Sequence, residues 1–139
     1  MPDRTDIRLI TQAPEKDLET LYSEAGWIDL SEGDHGSFLS SVVINSALFA
    51  GVFDGSRLIG MGRALSDLCS DAYIQDVTVL KPYRNQGIGR RIVEFLVREL
   101  KKKGVDWIGL VAEPGTRSFY EDIGFEPLPG YFPLKYKDR

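Results

Sequence analysis

Residues 84–90, Arg-Asn-Gln-Gly-Ile-Gly-Arg, place a cation, two amide side chains and two glycines directly ahead of an amphipathic stretch. A strand that ends in such a turn and opens a helix is a ready anion site. The first helical N–H groups have no partner inside the helix, and the dipole adds partial positive charge. Gly87 and Gly89 let the backbone approach a phosphate with no Cβ in the way, and Arg84 adds a charged donor at the rim. Two familiar phosphate loops do not fit. The triphosphate loop requires Gly-Lys-Ser/Thr, and here Arg90 and Arg91 follow Gly89; the dinucleotide fingerprint needs a third glycine, and Ile92 stands in its place. Taken alone, the glycine pair reads equally well as a tight strand-to-helix turn.

Other chemistries are thinly supplied. His35 is the only histidine, inside the polar stretch SEGDHGSF, so a multi-histidine metal site is excluded and His35 reads as a loop residue. Cys69 is the only cysteine, so there is no intrachain disulfide and no cysteine zinc site. No metal is expected. The net charge of −4 argues against nucleic acid, which asks for a basic face. The N-terminus lacks an apolar signal core, and no apolar run approaches the ~20 residues of a membrane span. The expected compartment is the cytoplasm, with no membrane partner. With 139 residues, 42% of them hydrophobic and 27% charged, the chain predicts one domain, 1–139, around one core.

The elements that must position the loop follow from periodicity. IRLI (7–10) predicts an opening strand. Leu18, Leu21 and Tyr22 recur at helical spacing after Pro14, with Gly26 at the stop. SFLSSVVINS predicts a second helix with a Phe38, Val42 and Asn45 stripe. Two β-friendly runs flank Asp54-Gly55, a hairpin signal because the turn needs positive φ. AYIQDVTVL (72–80) reads as a strand. Ile88, Ile92, Phe95, Leu96 and Leu100 mark one face of a helix that ends near Gly104, with a lysine run at 101–103 suited to its dipole. VDWIGLVA (105–112) is the next strand. A turn and short helix follow to Gly124. YFPLKYK (131–137) is a last strand, at an edge or bulge because Pro133 lies inside it. The order β, α, α, β-hairpin, β, α, β, α, β predicts a mixed α/β domain with a β-α-β crossover in its second half.

The stretch DVTVLKPYRNQGIGRRI matches Arg/Gln-x-x-Gly-x-Gly/Ala after a β-branched strand, and at this point the sequence resembles the GNAT N-acetyltransferase superfamily. SFYEDIGFEP is similar to that superfamily's FYEKLGF segment, at about the right distance downstream. The resemblance covers about 45 to 130 well, and LYSEAGW resembles the first helix of small members with less specificity. It implies a central mixed sheet of about six to seven strands flanked by about four helices. It also implies acetyl-CoA as co-substrate. The pyrophosphate would be cradled by the amides of Asn85, Gln86, Gly87, Ile88, Gly89 and Arg90, with Arg84 opening the motif. The pantetheine arm would run along Val77, Thr78 and Val79, and an N–H near Val77 would polarise the acetyl carbonyl. Tyr120 would be the general acid that protonates the departing thiolate, since phenol and thiol have comparable pKa values.

The resemblance leaves the base open. Relatives carry it two or four positions before the residue matching Val77, which are Gln75 and Tyr73 here, and neither suits. Asp76 is the nearest carboxylate. Strand alternation points it to the other face, but a bulge would re-aim it. Asp71 or Glu113 would act through water. Trp27, Phe38, Tyr73 and Tyr131 are candidates to line the acceptor pocket. The function implied is acetyl transfer to a primary amine of a small molecule or peptide, directly in a ternary complex. The alternative is a non-catalytic CoA-binding regulatory module on the same fold. Small size and an edge-like last strand make a homodimer an expectation.

Overall fold

The structure, a computed structural model, describes residues 4–138. One sheet carries the strands in the order β1 (Thr5–Leu9), β2 (Leu48–Asp54), β3 (Arg57–Ser66), β4 (Asp71–Val79) and β5 (Trp107–Gly109). The helices are α1 (Glu15–Glu24), α2 (Gly36–Asn45), α3 (Ile88–Lys102) and α4 (Arg117–Ile123). β1 to β4 pair antiparallel, and β5 joins β4 in parallel through the α3 crossover. The mixed α/β architecture is the expected one.

Local signals explain most of these elements. Pro14 stands at the N-cap of α1, where its missing N–H costs nothing, and Gly26 adopts φ +83° past the end. Gly55 turns the β2–β3 hairpin at φ +62°. α3 buries Ile88, Ile92, Val93, Leu96 and Leu100, a single apolar stripe. That stripe lies on β3 where two glycines remove the Cβ atoms. A methyl at Gly62 would stand 2.6 Å from Ile92 Cγ2, and one at Gly60 would stand 3.3 Å from Ile92 Cδ1. By alternation Ile59 and Met61 face the other way, and both are fully buried. α1, which also packs on β3 and on α2, is the helix available to cover them.

Two expectations need correction. The buried stripe of α2 is Gly36, Leu39 and Val43, one residue on from the Phe38, Val42 and Asn45 stripe, and Phe38 is 61% exposed. β-Branched and apolar residues crowd both faces of that helix, so the sequence pattern alone does not choose between them. The last strand is also absent: among the described residues the sheet has five strands, and 131–138 takes no regular structure and joins no ladder. Tyr131, Phe132, Leu134 and Tyr136 there are 71–93% exposed. Strand formation needs an edge to pair with, and in one copy of the chain this segment has not taken one.

Candidate active site

The loop before α3 is shaped as an anion cradle. Asn85 and Gly87 both take left-handed backbone, at φ +63° and +80°, and Gly87 is the N-cap of α3. The first helical bond is Arg91 N–H to the Gly87 carbonyl at 3.1 Å. The amides of Ile88, Gly89 and Arg90 therefore have no intrahelical acceptor. The two glycines differ in what they are for. Gly87 is demanded by its φ. Gly89 has ordinary backbone, and a methyl there would meet only Phe119 at 3.4 Å and 3.6 Å and Val79 at 4.0 Å. Packing tolerates a side chain at 89, so what the bare backbone keeps open is the approach from outside. The same proximity brings Phe119 of α4 against the start of α3.

Arg84 is not a free donor over this loop. Its Nε donates to the Val79 carbonyl at 2.7 Å, and Nη2 stands 3.9 Å from Glu24 Oε1. Glu24 Oε1 also accepts from the Lys81 amide at 2.6 Å. Tyr83 Oη donates to Asp54 Oδ2 at 2.5 Å. The 3-10 turn Lys81–Tyr83 is thus clamped by α1 and by the hairpin, and Arg84 holds the loop to the end of β4. Gln86 reaches back to the Pro82 carbonyl at 3.4 Å.

β4 opens toward this loop. Its pairing with β5 ends at Tyr73 opposite Gly109, and residues 74–79 run on beyond it. On its other side the register with β3 shifts, so that Gly62 faces both Asp76 and Val77. Asp76 occupies the bulge at φ +56°, which an aspartate reaches at some strain. Val77 follows it half-buried, and Thr78 and Val79 are buried. The bulge does re-aim Asp76. Its Oδ2 accepts from Tyr22 Oη at 2.8 Å and from Arg63 Nε at 2.7 Å. Arg63 also reaches Ser46 and Gln75, both at 3.4 Å.

From Asp76 a line of contacts leads to Tyr120. The Tyr22 ring meets the Trp27 ring edge-on at 5.5 Å, and Trp27 Nε1 donates to Glu113 Oε1 at 2.9 Å. The Glu113 carbonyl accepts from both the amide and the hydroxyl of Thr116, at 3.0 Å and 2.7 Å, which fixes the turn into α4. Tyr120 lies half-buried between Phe119 and Phe125. Burial, and then the charge of Glu113, push its phenol above the ordinary value near 10. Burial and Asp76 push Tyr22 up as well. Of the four lining candidates, Trp27 joins this constellation. Tyr73 stacks on Trp107 at 5.3 Å, and Phe38 and Tyr131 face solvent. Sequence reasoning missed Tyr22, Glu24 and Arg63 as site residues. Their partners lie 54, 57 and 13 residues away, beyond any local signal.

A cleft of about 1280 Å³ has Tyr73 and Tyr120 in its lining. It runs along the outer side of β5 between α3, α4 and residues 125–134, and none of 84–90 lines it. Among the described residues no cluster of His, Cys, Asp and Glu is arranged to hold a metal, and no helix is long and apolar enough to cross a membrane.

Comparison with known proteins agrees with this fold. The profile described as the acetyltransferase (GNAT) family matches residues 9–125. A chloroplastic GCN5-related N-acetyltransferase 2 from Arabidopsis thaliana is 44% identical over 73 residues, covering 52% of this chain and 28% of that protein. Histone acetyltransferase TAP1 from Glycine max is 33% identical over 126 residues, covering 81% of this chain and 52% of that one. The chain thus spans about half the length, or less, of these curated relatives. Among solved structures, a probable acetyltransferase from Staphylococcus aureus superposes with a TM-score of 0.77 at 26% identity, covering 95% of this chain and 99% of its own.

Proposed function

The chain belongs to the GNAT acetyltransferase family. We propose that it is an acetyl-CoA-dependent N-acetyltransferase, moving the acetyl group to a primary amine directly in a ternary complex. The observation that carries this reading is the approach of Phe119 to Gly89. It sets the helix bearing Tyr120 against an open helix N-terminus at the end of a splayed strand.

The residues divide the work. Amides 85–90 and the dipole of α3 hold the pyrophosphate, and Arg84 keeps the loop in place. The free edge of β4 along Val77, Thr78 and Val79 aligns the pantetheine arm as an added strand. The amide at the bulge, near Val77, stabilises negative charge developing on the acetyl oxygen. The amine enters from the side of Tyr22, Trp27 and Glu113. As its nitrogen bonds to the acetyl carbon and the C–S bond breaks, Tyr120 gives its proton to sulfur. The proton lost by the amine leaves through water to a flanking carboxylate, Asp76 or Glu113. The fixed indole of Trp27 favours amines with an apolar or aromatic body. An acceptor panel tests that preference, and equal rates for sugar phosphates would refute it. The cytoplasm, as a compartment that holds acetyl-CoA, belongs to the same reading.

The test of the whole is thiol release from acetyl-CoA across amines, beside binding measured by native mass spectrometry with a Gly87→Asp control. Binding by the parent and not by the control, with amine-dependent thiol release, is expected. A second reading has one observation in its favour: Asp76 is already engaged by Arg63 and Tyr22. A CoA-binding regulatory module would bind as well and release no thiol with any amine.

A further inference from the structure

Among the described residues three non-glycine positions take left-handed backbone. Leu68 and Asn85 lie in turns, but Asp76, at φ +56°, lies inside a strand. Such backbone is costly for a residue with a Cβ, and within a ladder no turn requires it. Something must hold Asp76 there.

Two donors from other elements converge on one of its oxygens. Tyr22 Oη of α1 and Arg63 Nε of β3 both donate to Asp76 Oδ2, at 2.8 Å and 2.7 Å. Arg63 is anchored in turn. Its Nη1 donates to Ser46 Oγ and its Nη2 to Gln75 Oε1, both at 3.4 Å. A guanidinium is a planar fork, so three engaged nitrogens fix its orientation as well as its charge. The Arg63 and Asp76 side chains are only 17% and 22% exposed. A part-buried ion pair gives up hydration, and well-packed apolar residues are often as stable in its place. What the pair adds here is a single geometry for the bulge.

The next residue is held by packing. β3 slips against β4 at Gly62, between Met61 opposite Thr78 and Arg63 opposite Gln75. A methyl at Gly62 would stand 3.3 Å from Val77 Cγ2 and 2.6 Å from Ile92 Cγ2, so Val77 is confined between β3 and α3. The peptide joining Asp76 to Val77 thus has a polar clamp on one residue and a packed side chain on the other. We infer that Arg63, together with Tyr22, is a positioning residue for acetyl transfer: by locking Asp76 in the bulge it aims the Val77 amide at the acetyl oxygen. The inference rests on the acetyl-transfer reading. Arg63 acts through Asp76 and needs no contact with the reacting atoms.

The test is infrared spectroscopy of acetyl-CoA, isotope-labelled at the acetyl carbonyl and bound to the full chain, beside steady-state kinetics and calorimetric Kd. In the parent the carbonyl stretch is expected below its frequency in free acetyl-CoA, because a hydrogen bond to the oxygen weakens the C=O bond. In Arg63→Met the stretch should return toward the free value. Its kcat for amine-dependent thiol release should fall roughly 10²-fold, the worth of one oxyanion donor. Its Kd should hold, since the loop at 85–90 is untouched. Arg63→Lys restores the charge without the fork and is expected to recover part of both signals. Tyr22→Phe removes one donor to the same oxygen while keeping the ring, so it should fall between the parent and Arg63→Met, and it serves where Arg63→Met does not fold. Asp76→Asn keeps an acceptor oxygen, so its stretch should stay low whatever its rate.

The inference is overturned by an unshifted carbonyl in the parent. It is overturned equally by a folded Arg63→Met or Tyr22→Phe that keeps the parent's stretch and kcat. A variant whose kcat and affinity fall together with the stretch unmoved would mean a structural role only. Failure of the transfer reading looks different: no amine releases thiol from the parent, while the stretch of bound acetyl-CoA still reports on the clamp. A parent that binds no acetyl-CoA overturns both.

Discussion

In the proposed reaction Tyr120 and Asp76 handle the protons, and they have different surroundings. The phenol of Tyr120 is raised by burial and by Glu113. It is therefore protonated throughout the neutral range, as a general acid must be. Tyr120→Phe is expected to lower kcat roughly 10²-fold, the usual worth of a positioned acid, while leaving acetyl-CoA binding unchanged in native mass spectrometry. A raised folded pKa also acts on stability. The group's contribution is full below its unfolded value, about 10, and is lost as pH rises through the higher folded value. Tyr22 shifts in the same direction. Urea midpoints should thus hold from pH 8 toward ~10 and fall at pH ~11. A midpoint that did not move would mean that the two phenols are not desolvated. Asp76→Ala leaves Arg63 Nε and Tyr22 Oη without their acceptor and should cost about 1–3 kcal/mol in urea denaturation. Asp76→Asn keeps an acceptor oxygen but removes the charge, so a rate lost in that variant with binding intact would identify Asp76 as the proton's destination.

At the scale of elements, α3 closes the core and, in the proposed function, would offer its N-terminus to acetyl-CoA. The glycines around it separate those tasks. Gly62→Ala puts a methyl 2.6 Å from Ile92 Cγ2. Overpacking of this kind costs about 1–3 kcal/mol, so its melting temperature should fall. Gly89→Ala meets only ordinary contacts. In a helix the change is worth up to ~1 kcal/mol in favour of alanine, so stability should hold or rise. On the proposed reading, affinity for acetyl-CoA should nonetheless drop at least tenfold by titration calorimetry, because the methyl would stand where a phosphate is to approach. Unchanged affinity would return Gly89 to the role of a turn residue.

For the whole molecule, the site lies between parts of the chain remote in sequence, so a bound ligand should stabilise the fold globally. Acetyl-CoA at a hundredfold excess over Kd would add about 2.7 kcal/mol by mass action and raise the melting temperature. Gly87→Asp should show no such rise, since the new side chain is strained at φ +80° and repels phosphate.

Features written in short-range pattern were legible in the sequence by itself. Asp54-Gly55 signals a hairpin turn, the Ile88 to Leu100 stripe signals a helix, and the glycine pair at 87 and 89 signals a tight turn into it. Each depends on residues a few positions apart, so composition and spacing suffice. With the SFYEDIGF segment, these were enough to indicate the family and the fold class. The bulge at Asp76 was foreseen only as a way out of strand alternation, and its strength comes from Tyr22 and Arg63. The clamp of Glu24 on the 81–84 turn, the Trp27–Glu113 bridge and the Gly62–Ile92 approach join residues whose nearness no local period encodes. The last strand shows the limit most clearly. YFPLKYK has the alternation of a strand, yet a strand exists only when its hydrogen bonds find an edge. Tertiary structure decides that, because pairing is a property of two segments and a sequence pattern describes one.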